Sequence, residues 1–219
     1  WVEVPAGAPI AEIAEASRPG DALAARVDGR TLDFHQTLPE AEESLEVEFL
    51  TPRDPEGLAV MRHSCAHVMA DAVQRLYPGA KLAFGPAIRD GFYYDFDFPG
   101  EAPTEDDFER IEEVMAEIVA GGDAFGREEL ARDEALSLMR EREQPYKIEL
   151  LEQDLVDEEA VSVYRHGERF LDICRGPHVP STDRVGAFKL LSVAGAYWRG
   201  LETNPMLTRI YGTCFPNAK

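Results

Sequence analysis

No apolar run in these 219 residues approaches the ~18 that a membrane-crossing helix requires. No signal-peptide pattern opens the chain. Residue 1 is Trp rather than Met, so the natural start is expected upstream. Cysteine is scarce, with three residues and no CxxC pair, which excludes a disulfide framework and suits a reducing, cytoplasmic setting. Basic residues number 22 against 42 acidic ones, a formal net charge of −20 that argues against a general nucleic-acid-coating protein. A glycine-rich phosphate loop, a dinucleotide fingerprint and a GxSxG elbow are all missing.

The charge that is present is unevenly placed: −9 over 1–100, −15 over 101–160 and +4 over 161–219. The acidic middle reads as solvated helical surface. The basic end is where an anionic substrate would be drawn.

Two short stretches carry chemistry. Arg62-His63-Ser64-Cys65-Ala66-His67 lies in a helical pattern, apolar at Met61, Cys65, Val68, Met69, Ala72 and Leu76. His63 and His67, four residues apart, share one helix face. That face lies roughly opposite the apolar stripe, so the histidines are expected off the helix's own buried side. Cys174-Arg175-Gly176-Pro177-His178 repeats the spacing from Cys174 to His178, but Gly-Pro inside it predicts a loop. Three readings follow: a solvated polar face, a tetrahedral zinc set of His63, His67, Cys174 and His178, or a hydrolytic site using the same side chains as bases and donors. Spacing leaves zinc and acid–base chemistry both open.

Along the chain, Val2-Glu3-Val4 reads as a strand and Ile10, Ile13 and Ala14 as a short helix. Leu23 to Val27, Leu32 with Phe34, and Ser44 to Leu50 read as further strands, which together suggest a small β-grasp module. His35 reads as an ordinary surface histidine. Thr51-Pro52-Arg53-Asp54-Pro55 reads as a linker, because two prolines break either regular structure. Phe92 to Phe98 predicts a strand with aromatics on both faces, from which a buried Tyr94 would need a polar partner. Thr104 with Asp107 forms an acidic capping box ahead of a helix through Phe108, Ile111, Met115, Ile118 and Val119 that stops at Gly121-Gly122. A second helix covers Ala135, Leu136 and Met139, and Lys147 is expected, exposed, at the opening of an apolar strand from Ile148 to Leu151. Val161 to Tyr164 and Arg169 to Cys174 predict a hairpin around His166-Gly167. Its second strand puts Leu171 and Ile173 on one face, Asp172 and Cys174 on the other. Lys189 to Gly200 adds the stretch Gly195-Ala196-Tyr197-Trp198-Arg199-Gly200, and Thr208 to Gly212 reads as a last strand. The fold class is therefore α+β.

His63-Ser64-Cys65-Ala66-His67, Gly85-Pro86, Gly91 to Asp95, Pro145-Tyr146-Lys147, Asp172 to His178 and Gly195 to Gly200 together resemble the editing domain of bacterial threonyl-tRNA synthetases. The stretch from 1 to about 50 looks like that family's TGS domain, a ubiquitin-like β-grasp module, and Arg209 to Thr213 looks like the segment preceding its aminoacylation core. The resemblance implies a TGS domain over 1–52 and, over 53–219, an editing domain with an antiparallel sheet and flanking helices. It also implies a fragment whose aminoacylation and anticodon-binding domains lie elsewhere. The implied task is hydrolysis of serine mischarged on tRNA(Thr), with threonine refused for its extra methyl. Such a missing methyl is worth only ~1–3 kcal/mol to the synthetic site.

By the same resemblance, His63 and Lys147 handle water and proton transfer, and Asp172 holds the substrate ammonium. Cys174, His178 and His67 complete the wall, while Tyr94 lines the methyl-excluding pocket. Lys147 and Tyr94 rest mainly on the resemblance. It also implies no metal, although related alanyl-tRNA editing domains hold zinc on a similar constellation. Rival readings are a free-standing deacylase acting in trans and a non-enzymatic RNA-binding or regulatory module.

Overall fold

The computed structural model describes residues 7–39 and 45–218. The first described elements are helix α1 (Ile10–Ser17) and strands β1 (Ala24–Val27), β2 (Arg30–Leu32) and β3 (Val47–Leu50), the strands forming an antiparallel sheet in the order β2-β1-β3. The strand expected at Val2 to Val4 falls outside the described residues, as does Ser44. A separate β-grasp unit is not evident among the described residues. Ile10, Ile13, Ala25 and Val27 form a small local core, yet Leu23, Ala24 and Leu50 belong to the main core with Val60, Met61 and Phe170. The junction is accordingly a packed turn rather than a loose linker. Asp54 Oδ2 accepts bonds from the Thr51 backbone N–H (2.7 Å) and hydroxyl (3.0 Å), and a Cβ on Gly57 would stand 2.0 Å from Thr51 O.

Helix α2 (Pro55–Leu76) starts directly after this turn, with Pro55 in the first helical turn, where its missing N–H costs nothing. Ser64 to Val73 are buried without a break, so α2 is a central helix packed on nearly all sides, not one with a solvated face. This corrects the expectation from the apolar stripe: the face opposite it is covered by other elements. His67 is 1% exposed, whereas His63 is half-buried.

Strands β4 (Lys81–Leu82), β5 (Ala87–Ile88) and β6 (Gly91–Asp97) follow, then helix α3 (Phe108–Gly121). The capping box at Thr104 and Asp107 is formed, and Gly122, at φ 67°, ends α3 in a left-handed turn. Strand β7 (Gly126–Ala131) and helix α4 (Arg132–Glu141) lead to helix α5 (Pro145–Glu149), which runs on into a π-helical turn at Leu150–Asp154. Lys147 therefore sits on a short helix, not at the start of a strand, and it is buried. The apolar run Ile148 to Leu151 is too short for its period to decide, while Pro145 favours a helix start.

The remaining strands are β8 (Ala160–His166), β9 (Phe170–Ile173), β10 (Ala187–Tyr197) and β11 (Met206–Phe215). One antiparallel sheet runs β10-β11-β6-β4, with β5 also paired to β6, and another runs β7-β8-β9. The expected hairpin over 161–174 is present, as is a central β6 with Phe92, Tyr94 and Phe96 buried. The architecture is α+β with antiparallel sheets.

Candidate functional site

Four elements converge on one place: the middle of α2, the centre of β6, α5, and the chain leaving β9. On α2 the His63 and His67 rings stand 5.1 Å apart. In β9, Leu171 and Ile173 point into a core shared with α4, so alternation turns Asp172 the other way. The chain then quits the sheet through Cys174, and Gly176, at φ 69°, turns it so that His178 comes back against α2. Only glycine fits there, because a Cβ would lie 2.1 Å from the Tyr164 hydroxyl oxygen.

Ser64, between the two histidines, ties this loop down. Its hydroxyl donates to Val60 O (2.9 Å) and accepts from the Val179 N–H (3.0 Å). With its one proton used, it accepts from His178 Nδ1 at 3.1 Å, which leaves the Nε2 lone pair of His178 facing Cys174 Sγ at 3.5 Å. His63 is fixed in the same sense. Its Nδ1 donates to Pro177 O (3.3 Å), and its Nε2 lone pair meets Cys174 Sγ at 3.3 Å. Two imidazole lone pairs thus face one thiol, whose single proton satisfies only one of them. Burial pushes the Cys174 thiol up to about 12 and pulls His63 down to about 4. His67 and His178 are held well below the usual imidazole range, again by burial first and neighbouring imidazoles second. All four groups are neutral at pH 7.

Beside them lies a charged group of buried atoms. Lys147 Nζ is 2.7 Å from Asp172 Oδ1, and each residue is 3% exposed. The Tyr94 hydroxyl donates to Asp172 Oδ2 at 2.5 Å, and His67 Nε2 stands 3.6 Å from the same oxygen. Burial, then the Asp172 charge, drives the Tyr94 phenol well above its ordinary value. His67 Nδ1 is buried without a hydrogen-bond partner.

A cavity of about 760 Å³ opens from this cluster, with His63, His67, Lys147, Asp172 and Cys174 in its wall. Phe84, Trp198 and the arginines Arg127, Arg199 and Arg209 surround the rest. Tyr94 and His178 are fully buried behind the wall; the Tyr94 hydroxyl bonds Asp172, and a Cβ added to Gly85 would meet the Tyr94 ring at 2.0 Å. All seven residues singled out in the sequence are brought together. The donor atoms of His63, His67, Cys174 and His178 lie within 4.8 Å of one another, a set compatible with zinc after modest contraction to the ~3.3–3.8 Å edges of a tetrahedral site.

Sequence reasoning missed Ser64, Tyr164 and Asp33. Asp33 is fully buried and accepts from the Tyr164 hydroxyl, the His35 N–H (3.0 Å) and the His178 N–H (3.4 Å). It reaches the site from the turn after β2, and no spacing in the sequence links it to residues so far downstream.

Comparison with known proteins bears on this site. Residues 161–211 match the family described as threonyl and alanyl tRNA synthetase second additional domain. The chain is 49% identical over 223 residues to a threonine–tRNA ligase of Oleidesulfovibrio alaskensis, covering 100% of this chain and 34% of the relative. With the threonine–tRNA ligase of Rubrobacter xylanophilus the identity is 54% over 199 residues, 91% of this chain and 30% of that one. With that of Desulforamulus reducens it is 49% over 218 residues, 98% and 33% respectively. The chain thus spans about a third of the length of the curated relatives it matches, and over that third it is homologous to threonyl-tRNA synthetases, with the second additional domain at residues 161–211.

Proposed function

We propose that this chain is the proofreading part of a threonyl-tRNA synthetase, hydrolysing the ester of serine mischarged on tRNA(Thr) while refusing threonine. What supports the reading is the neutral imidazole lone pair of His63 beside the buried Lys147–Asp172 pair in the wall of one cavity, with His178 packed behind it. Water attacks the ester carbonyl carbon, and its proton passes to the Nε2 lone pair of His63. The bond from the carbonyl carbon to the ribose oxygen then breaks, and that oxygen takes the proton from the protonated His63 Nε2, which restores the neutral imidazole. Lys147 supplies positive charge near the developing oxyanion, the role in which a fixed charge lowers a barrier most. Asp172 keeps free lone pairs beyond those met by Lys147 and Tyr94, and these hold the substrate ammonium. Tyr94 acts by fixing Asp172, and His67, Cys174 and His178 form the wall and orient the water.

The remaining parts of the reading follow from the same relationship. Residues 1–52 are the TGS part and 53–219 the editing part of a cytoplasmic enzyme whose aminoacylation and anticodon-binding domains lie outside this chain. The partner is the acceptor end of tRNA(Thr) carrying serine. No metal takes part. The four-donor cluster favours zinc as the second reading, and elemental analysis separates the two. Protein purified without added metal holds no stoichiometric zinc and deacylates unchanged in chelator. One zinc per chain, lost together with activity, reverses the assignment. The function itself is tested with seryl- and threonyl-tRNA(Thr) and the purified protein: seryl ester loss outruns threonyl loss by roughly 5- to 150-fold, the discrimination that one excluded methyl carries. Equal rates on both esters overturn the reading.

A further inference from the structure

Helix α5 carries Lys147 into the site but is five residues long, far below what holds a helix by itself. Its order comes from outside, and the anchors fall on two sides. Toward the sheet, Gln144 Oε1 accepts from the Leu82 N–H (2.8 Å) and the Tyr146 hydroxyl donates to Asp97 Oδ2 (2.7 Å). Toward solvent, Arg140 and Arg132 of α4 bond Glu152 (2.8 Å) and Leu151 O (3.4 Å), and the tip of the β10–β11 hairpin supplies the anchors on α5 itself. The Trp198 ring stacks on Phe84 at 5.1 Å and meets Tyr146 edge-on at 4.9 Å, and its indole N–H donates to Glu149 Oε1 at 3.1 Å. Arg199 Nε donates to the same Glu149 oxygen at 2.7 Å, while its two terminal nitrogens reach both carboxylate oxygens of Asp154 at 3.0 and 2.6 Å.

The backbone shows that this is a fitted contact. Arg199 has φ 56° and ψ 18°, a left-handed conformation that non-glycine residues rarely adopt and that aims its guanidinium at the helix. An isolated exposed ion pair does little, but a planar guanidinium bridging two carboxylates fixes orientation as well as distance. Glu149 ends α5 and Asp154 ends the π-helical turn behind it, so Arg199 spans the whole segment that leaves Lys147.

We infer that Trp198 and Arg199 are positioning residues, a clasp that holds α5 so that Lys147 stays against Asp172. The role in catalysis rests on the hydrolytic reading above; the grip on α5 does not. A misplacement near 1 Å at a reacting group costs up to ~100-fold in rate. Releasing one side of the clasp therefore lowers kcat for seryl-tRNA roughly tenfold and leaves KM within about twofold.

The experiment compares Arg199→Ala and Trp198→Phe with the unmutated protein in two readouts, once circular dichroism has shown the variants folded. The first is kcat and KM, alone and in a Lys147→Met background. The second is amide hydrogen exchange over 145–154. The expected result is a loss in kcat that vanishes when Lys147 is already gone, with faster exchange over 145–154 and none over 60–70. Losses that add to that of Lys147→Met, or exchange that stays unchanged, overturn the clasp. So does a rise in KM at constant kcat, which gives Arg199 to substrate binding instead. An unmutated protein that hydrolyses neither ester while the variants still exchange faster over 145–154 defeats the hydrolytic reading and keeps the grip on α5.

Discussion

His63 is the site residue whose side chain is freest to act. It is half-buried, its Nδ1 is committed to Pro177 O, and its Nε2 faces both the Cys174 thiol and the cavity. His63→Ala is expected to reduce seryl-tRNA hydrolysis by about 10²- to 10⁴-fold, the range of a general base. The fold should survive, since no apolar core contact is lost; a loss under about tenfold in single-turnover assays would remove His63 from the chemistry. The pH profile carries a second check. Burial depresses the imidazole to about 4, so the neutral, proton-accepting form persists through mildly acidic pH and is lost only as pH falls through about 4. Activity on the seryl ester should therefore hold from pH 7 down to 5, whereas a limb near 6.5 marks an unperturbed histidine. The pairing of His63 with His67, and of Cys174 with His178, was legible because helix and loop spacing are local. Lys147 was not: a lone lysine beside an apolar run carries no sign that a carboxylate 25 residues downstream awaits it.

At the scale of elements, the loop from Cys174 to His178 is the least replaceable. Gly176 must adopt φ 69° and must lie against the Tyr164 hydroxyl. Gly176→Ala puts a methyl 2.1 Å from that oxygen, so either Tyr164 leaves Asp33 or the loop lifts Cys174 and His178 off α2. Overpacking of this kind costs ~1–3 kcal/mol, and the left-handed backbone adds to it. The expected outcome is a lower thermal midpoint together with a deacylation defect; a variant as stable and active as the parent would mean that the loop yields freely. The hairpin feeding this loop was legible from alternation over 161–174, since strand periodicity needs only neighbours along the chain. The surroundings of α2 were not. A stripe of apolar residues tells which side a helix buries first, but α3, β6 and the 174–178 loop cover the rest, and those partners come from distant parts of the chain. The same holds for α5, which too short a pattern disguised as a strand.

For the whole molecule, the question is whether residues 1–52 stand apart from the remainder. The junction at Thr51 to Asp54 is where sequence placed a boundary, and two prolines there give a local reason for one. Packing runs across it nonetheless. Leu23 and Leu50 are each 1% exposed within the main core, Arg184 donates to Ala22 O at 3.2 Å, and Asp33 is buried beneath Tyr164 and the His178 backbone. Removing 1–52 strips at least two leucines from that core, each worth ~1.5–3 kcal/mol of burial. It also leaves the His178 N–H and the Tyr164 hydroxyl without their acceptor, at ~1–3 kcal/mol for each buried group left unpaired. Such losses are comparable to the whole stability of an ordinary domain, ~5–15 kcal/mol. A 53–219 fragment is therefore expected to melt well below the full chain and to deacylate poorly even where folded. Restoring 1–52 with Asp33→Ala separates the two effects: the apolar packing returns, the thermal midpoint recovers in part, and the deacylation defect stays. If the truncated fragment matches the full chain in both midpoint and rate, the contacts of Leu23, Leu50 and Asp33 are incidental and the boundary at 52 divides two independent units.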